Sequence, residues 1–311
     1  MNQSFQSTDH RLRTLDQIQL MLTSLLFIFF SLTACMENPN NNNRQLPDPE
    51  FDKYWYQGEA EITSYKLEQA RYGEIHEGTV VLVFVTEPFS KSSMTKADNP
   101  GKDDPSVLKL NYTKKFNTGI YPYSMMTSTF LPVNDLTHSI KISSSSQEWC
   151  GHTFMEMENK GKFDINIKSY FESESKSLKL DKALLEDDVM SMIRINPNAL
   201  PTGKMKMIPS FFALRMSHKQ TKAYDVVLSL EQEGASSIYT AAYPSLERSI
   251  AITFDTNFPH QITGWEETGY SGYGANRKKL TTTATKMKSI KSAYWNKNSK
   301  NDAHLRKELG L

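Results

Sequence analysis

The amino-acid sequence predicts a mainly β fold: an antiparallel curved sheet, sandwich or open barrel with one inserted helix. Three observations carry this reading. From Phe51 onward, short runs of β-branched and aromatic residues recur between clusters of Gly, Pro, Asn, Asp and Ser, the pattern by which strands and turns divide a chain. Several runs alternate: Val107, Lys109 and Asn111 oppose Leu108, Leu110 and Tyr112, and Phe163, Ile165 and Ile167 oppose Asp164, Asn166 and Lys168. One wet and one dry face favours antiparallel sheet over parallel sheet covered on both sides. One segment reads as helical, residues 181–193, where Leu184, Leu185, Val189, Met192 and Ile193 fall at near-helical spacing, Asp181 stands at the capping position, and Pro197 and Pro201 end the run; residues 289–309 are a second possibility, although their lysines and asparagines favour a partly ordered tail.

In chain order, residues 1–34 read as a signal peptide. Arg11 and Arg13 precede the uncharged run LMLTSLLFIFFSL at 20–32. About a dozen residues rise only about 20 Å as a helix, short of the roughly 30 Å hydrocarbon core, so export and cleavage fit better than a span. Leu32-Thr33-Ala34-Cys35 resembles the bacterial lipobox. That resemblance implies cleavage before Cys35, a diacylglycerol on its thiol and an acyl chain on its amino group. Each buried CH₂ contributes about 0.8 kcal/mol, so such chains would hold the protein to a membrane. Met36 in place of an aspartate favours the outer over the inner membrane.

Residues 35–50, with ENPNNNNRQLPDPE, read as a flexible tether. A β-rich domain follows at 51–288. Its expected strands are 59–66, 79–86, 107–116, 125–133, 139–145, 148–157, 163–171, 224–231, 238–242, 250–254, 261–268 and 279–287. The continuously apolar VVLVFV at 80–85 suits a central strand covered on both faces. Residues 289–311 read as a basic C-terminal tail. Lysines from Lys278 to Lys300 would suit contact with anionic head groups, although a solvated tail explains them more simply.

Composition excludes several classes. With 38% hydrophobic and 23% charged residues, the chain is neither a disordered nor a multi-span membrane protein. A net charge of +1 gives no electrostatic footprint for nucleic acid. There is no phosphate-cradling glycine motif and no GxSxG, and the seven histidines form no metal-ligand spacing, so neither a cofactor nor a metal is expected. If Cys35 is acylated, Cys150 has no disulfide partner in the chain.

The densest chemistry is SQEWCGHTF at 146–154. On a strand, Glu148, Cys150 and His152 would share a face, giving weak candidates for a thiolate–imidazolium pair or two metal ligands. The simpler reading makes Gly151 a bulge or close approach and puts Trp149 in the core. Aromatics crowd Tyr54-Trp55-Tyr56 and 265–273, where they would stack on sugars, line a lipid pocket or pack a core. Met125, Met126, Met155, Met157, Met190, Met192, Met205 and Met207 suit a hydrophobic cavity or core filling.

FDKYWYQGE at 51–59, NYTKKFNTGIYPYSMMTS at 111–128 and SSSQEWCGHTF at 144–154 resemble an uncharacterised family of lipoproteins from Bacteroidota, over nearly the whole mature chain. Its members are often labelled septum formation inhibitor Maf. The Ser-rich motif ending in paired arginines that opens the Maf enzymes has no match in residues 1–60, so the resemblance carries over no catalytic residue.

Together these readings make the chain a membrane-anchored cell-envelope lipoprotein, expected to act without catalysis by binding a hydrophobic or envelope ligand. An envelope hydrolase using Glu148, Cys150 and His152 is the second expectation. The third is a structural or assembly component with envelope protein partners, including a role near cell division as the family label suggests.

Overall fold

The computed structural model describes residues 47–311; the expected signal peptide, Cys35 and the tether up to residue 46 lie outside the described residues. Sixteen strands build one sheet. They are β1 (Ala60–Arg71), β2 (Glu74–Ser90), β3 (Thr95–Lys96), β4 (Ser106–Thr118), β5 (Tyr121–Pro132), β6 (Lys141–Glu148), β7 (Gly151–Lys160) and β8 (Lys162–Ser169). Then come β9 (Lys176–Leu180), β10 (Leu184–Leu185), β11 (Gly203–Ile208), β12 (Tyr224–Glu233), β13 (Ser236–Tyr243), β14 (Arg248–Asp255), β15 (Ile262–Ser271) and β16 (Lys278–Ser292). All twelve expected strands are present, with shifted ends. The four others are two-residue contacts or short, largely exposed strands without a clear alternation.

Spatial order follows chain order around the sheet. β10 to β16 are succeeded by β1, β2 and β4 to β9, so the first long strand pairs with the last. The ladders are antiparallel except for the two-residue contact of β10 with β11. Hydrogen bonding does not close the ring, because β9 and β10 are its two ends. Side chains bridge the opening instead. Leu185 of β10 and Ile208 of β11 share one apolar cluster with Phe163, Ile165 and Ile167 of β8 and with Phe211 and Leu214. The last two belong to a short helix (Phe211–Ser217), whose first turn is capped by Ser210 Oγ accepting from the Ala213 N–H at 3.2 Å.

The inserted helix fills the concave side. Val189–Ile195 is buried along its whole length. Its Val189, Met190, Met192, Ile193 and Ile195 pack in one cluster with Leu82, Phe84, Leu108 and Leu110 from one half of the sheet and Tyr239, Ala241, Ile252 and Trp265 from the other. Expected over 181–193, this helix starts later, because Leu184 and Leu185 pair with Met207 and Ile208. Asp181 does not cap it; exposed, it meets Lys162 at 2.8 Å.

Both expected boundaries of the domain move outward. Residues 48–50, expected in the tether, fold onto the domain, where the Asp48 N–H donates to the Ile195 carbonyl at 3.2 Å. The expected tail is also part of the fold, since β16 runs to Ser292 and a helix (His304–Glu308) follows. Leu309 is buried against Ala60, Ile62 and Val85, with Leu311, Val81 and Val83 beside it. The physical reason is the VVLVFV run: its outward residues need an apolar cover, and the C-terminus supplies it.

One buried ion pair joins the inserted helix to the sheet. Arg194 Nη1 and Nη2 donate to Glu61 Oε1 and Oε2 at 2.5 and 2.7 Å, and both side chains are 1% exposed. Tyr54 donates to the same carboxylate at 2.5 Å, and the guanidinium lies 5.0 Å from the Trp55 ring and 5.1 Å from Phe84. Burial works against the Glu61 charge, but Arg194 and the surrounding donors outweigh it and hold the carboxyl at about 2. Removing one partner strands the other charge, so Arg194→Ala is expected to destabilise the domain by about 3–5 kcal/mol in urea unfolding. Replacing Glu61 and Arg194 by Met together should restore most of that loss, since paired apolar side chains leave no orphaned charge.

Candidate functional site

Antiparallel succession collects alternate turns at each end of the sheet. At one end lie Tyr72–Gly73 after β1, Gly119–Ile120 after β4, Trp149–Cys150 after β6, residues 170–175 after β8 and 272–277 after β15. Asp48 marks the opposite end, where its carboxylate lies 3.8 Å from His260 in the turn between β14 and β15.

The first end carries exposed aromatic and apolar side chains: Ile120 is 84% exposed, Tyr170 71%, Trp149 67% and Tyr273 64%. Tyr72 sits among them in an unusual way. Arg71 pairs with Glu74, which leaves a two-residue turn in which Tyr72 (φ 55°) and Gly73 (φ 83°) are both left-handed. Such a type I′ turn favours Asn-Gly, and an ordinary residue there costs about 1–2 kcal/mol. The phenol that this conformation presents meets Tyr121 and Tyr123 at 2.9 and 2.8 Å, and the Arg71 guanidinium lies 4.4 Å over its ring. Burial raises the Tyr72 pKa, but the bonds from Tyr121, Tyr123 and Arg71 bring it below its ordinary value. Tyr121 in turn faces Trp149, with ring centroids 6.3 Å apart and planes 27° from parallel. Tyr170 continues the arc by lying on Gly151, where a Cβ would fall 2.5 Å from its ring.

A cleft of about 270 Å³ opens beside the turn after β8, at Ser173 and Glu174. Lys176, Arg215, Lys219 and Glu174 give it its charge, and His218 lines it as well. Arg215 is held by Thr153 Oγ1 at 3.2 Å, Glu148 at 3.8 Å and Glu174 at 3.6 Å, and lies 5.5 Å over the Phe171 ring. Its Nη1 is buried without a hydrogen-bond partner. Burial opposes the Glu174 charge, but Ser169, His218 and Arg215 together lower its pKa.

Inside the sheet, a cavity of about 40 Å³ holds a charged network. Arg248 grips Glu186 through Nη1 and Nη2 at 2.7 and 2.6 Å and donates to Glu267 at 2.6 Å, while Tyr243 bonds Glu186 at 2.7 Å. Lys114 faces the same space between Phe212 and Tyr112, and its burial lowers its pKa. That volume admits a few waters. It is far below the roughly 300 Å³ of the smallest typical ligand pockets.

The three sequence candidates meet only in part. Glu148 turns back on its own hairpin, accepting from the Cys150 N–H at 2.9 Å. Cys150 is a free, exposed thiol, and His152 is exposed on the next strand. Glu148, by hydrogen bond and charge, pushes the Cys150 thiol up, away from an activated thiolate. No group of three His, Cys, Asp or Glu suited to a metal occurs among the described residues. Trp149, read as core, is instead exposed, because it occupies the turn rather than the strand. Trp55 and Trp265 are buried, as are Met125, Met155, Met157, Met190, Met192 and Met207. Sequence reasoning missed Tyr72, Tyr170 and Arg215. Of these only Tyr72-Gly73, a two-residue break inside a strand pattern, left a readable signal.

No family model matches the chain, and no curated protein does. Among solved structures, it is similar to a β-barrel-like protein of a domain of unknown function, DUF1849, from Brucella abortus. Identity is 7% and the TM-score 0.39, over 75% of this chain and 98% of that one. A porin-like protein from Bacteroides uniformis matches at 9% identity and a TM-score of 0.21, over 73% of this chain and 95% of the other.

Two tests follow from the titrating groups. Burial pushes Asp187 up to about 8, above the 3.8 it has when unfolded. The native state therefore keeps a proton that the unfolded chain loses, and this group's contribution to stability falls as pH rises from about 4 to 8. Urea unfolding should show Asp187→Asn gaining on the wild type progressively over that window. For Cys150, maleimide labelling at pH 8 should be slow for an exposed thiol and become severalfold faster in Glu148→Gln, which removes the raising charge.

Proposed function

We propose that this chain is an exported envelope lipoprotein, held to a membrane through Cys35, whose β domain is a binding module rather than an enzyme. The exposed ring arc and cationic cleft at one end of the sheet carry this reading. Unpaired aromatic faces cost solubility, and a tyrosine held in a left-handed turn costs stability, so both are features of a surface that is covered in use. The interior supports the same choice. The inserted helix occupies the space that a hydrophobic ligand would need, which moves the ligand from the core to the rim.

Outer-membrane attachment follows from Met36 after Cys35, and nucleic acid is not a partner. The hydrolase reading, built on Glu148, Cys150 and His152, loses support from the raised thiol pKa. An assembly role beside envelope proteins uses the same surface and differs in its occupant.

Fractionation of cells expressing Cys35→Ser tests the anchor. The variant should leave the membrane pellet and appear in the soluble fraction as a folded, β-rich protein. Unchanged membrane fractionation would overturn the proposal.

A further inference from the structure

We infer that the ring arc and the cleft together bind a carboxylate-bearing glycan, with sugar rings on Tyr72, Trp149 and Tyr170 and an acidic substituent at Arg215. This rests on the reading of the domain as an envelope binding module and names its ligand class. The rings are of the kind that stack on a pyranose while their polar rims bond its hydroxyls. Trp149 and Tyr170 expose two thirds or more of their surface, and Tyr72 brings a phenol already joined to two others. Phe171, next to Tyr170, lies under the Arg215 guanidinium, so the arc leads directly into the cleft.

The cleft asks for an anion. The Arg215 side chain is 10% exposed; its Nη1 makes no hydrogen bond and meets Glu174 only at 3.6 Å, while Nη2 lies 3.8 Å from Glu148, both longer than direct bonds. Lys176 and Lys219 add positive charge against the single acid Glu174 in the lining. A guanidinium whose Nη1 makes no direct hydrogen bond matches a carboxylate in geometry and charge.

The test is co-sedimentation of the purified full chain with insoluble peptidoglycan sacculi, with the same sacculi methyl-esterified at their carboxylates, and with phosphatidylglycerol-containing vesicles. Sacculi should retain the wild type, slow the alkylation of Cys150 by maleimide, and bind at least tenfold less well after esterification. Trp149→Ala and Tyr170→Ala should each weaken retention about tenfold, while Val227→Ala, an exposed change elsewhere, should not. Tyr72→Asn is the decisive variant, because asparagine suits the left-handed turn. It should unfold within about 3 °C of the wild type or higher, yet lose retention. Equal binding to native and esterified sacculi, or retention unaffected by Trp149→Ala and Tyr72→Asn, would overturn the assignment. Binding to vesicles alone would overturn the glycan and leave the binding module standing. A chain that binds neither polymer nor vesicle and gives no crosslinked envelope partner in cells would overturn both.

Discussion

The structure depends on how an antiparallel sheet of this width fills its own inside. A closed barrel of about eight strands is just wide enough for its inward side chains to meet, and larger ones leave a lumen. Fifteen strands in continuous succession enclose more volume than Val80, Leu82, Phe84, Leu108, Leu110 and their counterparts can occupy. The chain supplies the missing volume from itself. Val189–Ile195 enters the concave side, and Phe211–Ser217 packs at the seam where β9 and β10 fail to pair. The unclosed seam is the consequence. The segment that fills the interior enters there, through Leu184 and Leu185, and occupies the place where the last hydrogen-bonded ladder would have formed.

A helix brought into a sheet interior also brings its polar groups, and these explain the charges found there. Arg194 lies on a helix whose every face is buried, so its guanidinium needs a partner from the wall, and Glu61 of β1 provides one. At the other end of the same segment, Glu186 is held by Arg248 of β14 and by Tyr243. Such pairs contribute little net stability compared with apolar packing, because both charges must leave water. They do fix register. A helix held only by Met190, Met192 and Ile193 could slide by a turn at small cost, whereas one clamped at Glu186 and Arg194 cannot. The small cavity around Lys114 and Glu267 is what remains where polar groups prevent full apolar packing.

The strands were legible because alternation is a local property. Each expected strand is there, since a run such as Val107–Leu108–Lys109–Leu110 already states which side chains face inward. The helix at 181–193 was legible in kind but not in extent, because its first leucines answer to Met207 and Ile208, residues more than twenty positions away. The boundaries at 50 and 289 failed for a related reason. Polar, lysine-rich segments read as solvated until a distant apolar face, here Val81 and Val83, requires their few hydrophobic residues. At the site, Glu148, Cys150 and His152 were read with strand periodicity, but a hairpin turn falls at Trp149–Cys150 and breaks it. That one misplaced turn also sent Trp149 into the core on paper and to the surface in the structure.

Turn placement is therefore where fold and surface meet. In this topology every second turn lies at one end, so a residue chosen for a turn is also chosen for that surface. Tyrosine and tryptophan are poor turn formers; Gly, Asn, Asp and Ser serve turns better. Yet Tyr72, Trp149 and Tyr170 stand at three of these turns, while Gly73 and Gly151 beside them take up the close backbone approaches that the rings or neighbouring loops impose. Glycine next to an aromatic ring at two such turns is the arrangement that lets a tight turn carry a large flat side chain outward. Exposed rings occur at the opposite end too, with Tyr56 at 46%, Tyr294 at 37% and Trp295 at 47%, but they stand outside the hairpin turns, and Phe51, Trp55 and Phe89 are buried there. Rings in these turns are not needed to close hairpins or fill the core, because small polar residues would do the first and the inserted helix already does the second. They belong to the surface, and make this the end of the sheet whose hairpin turns carry large, highly exposed side chains.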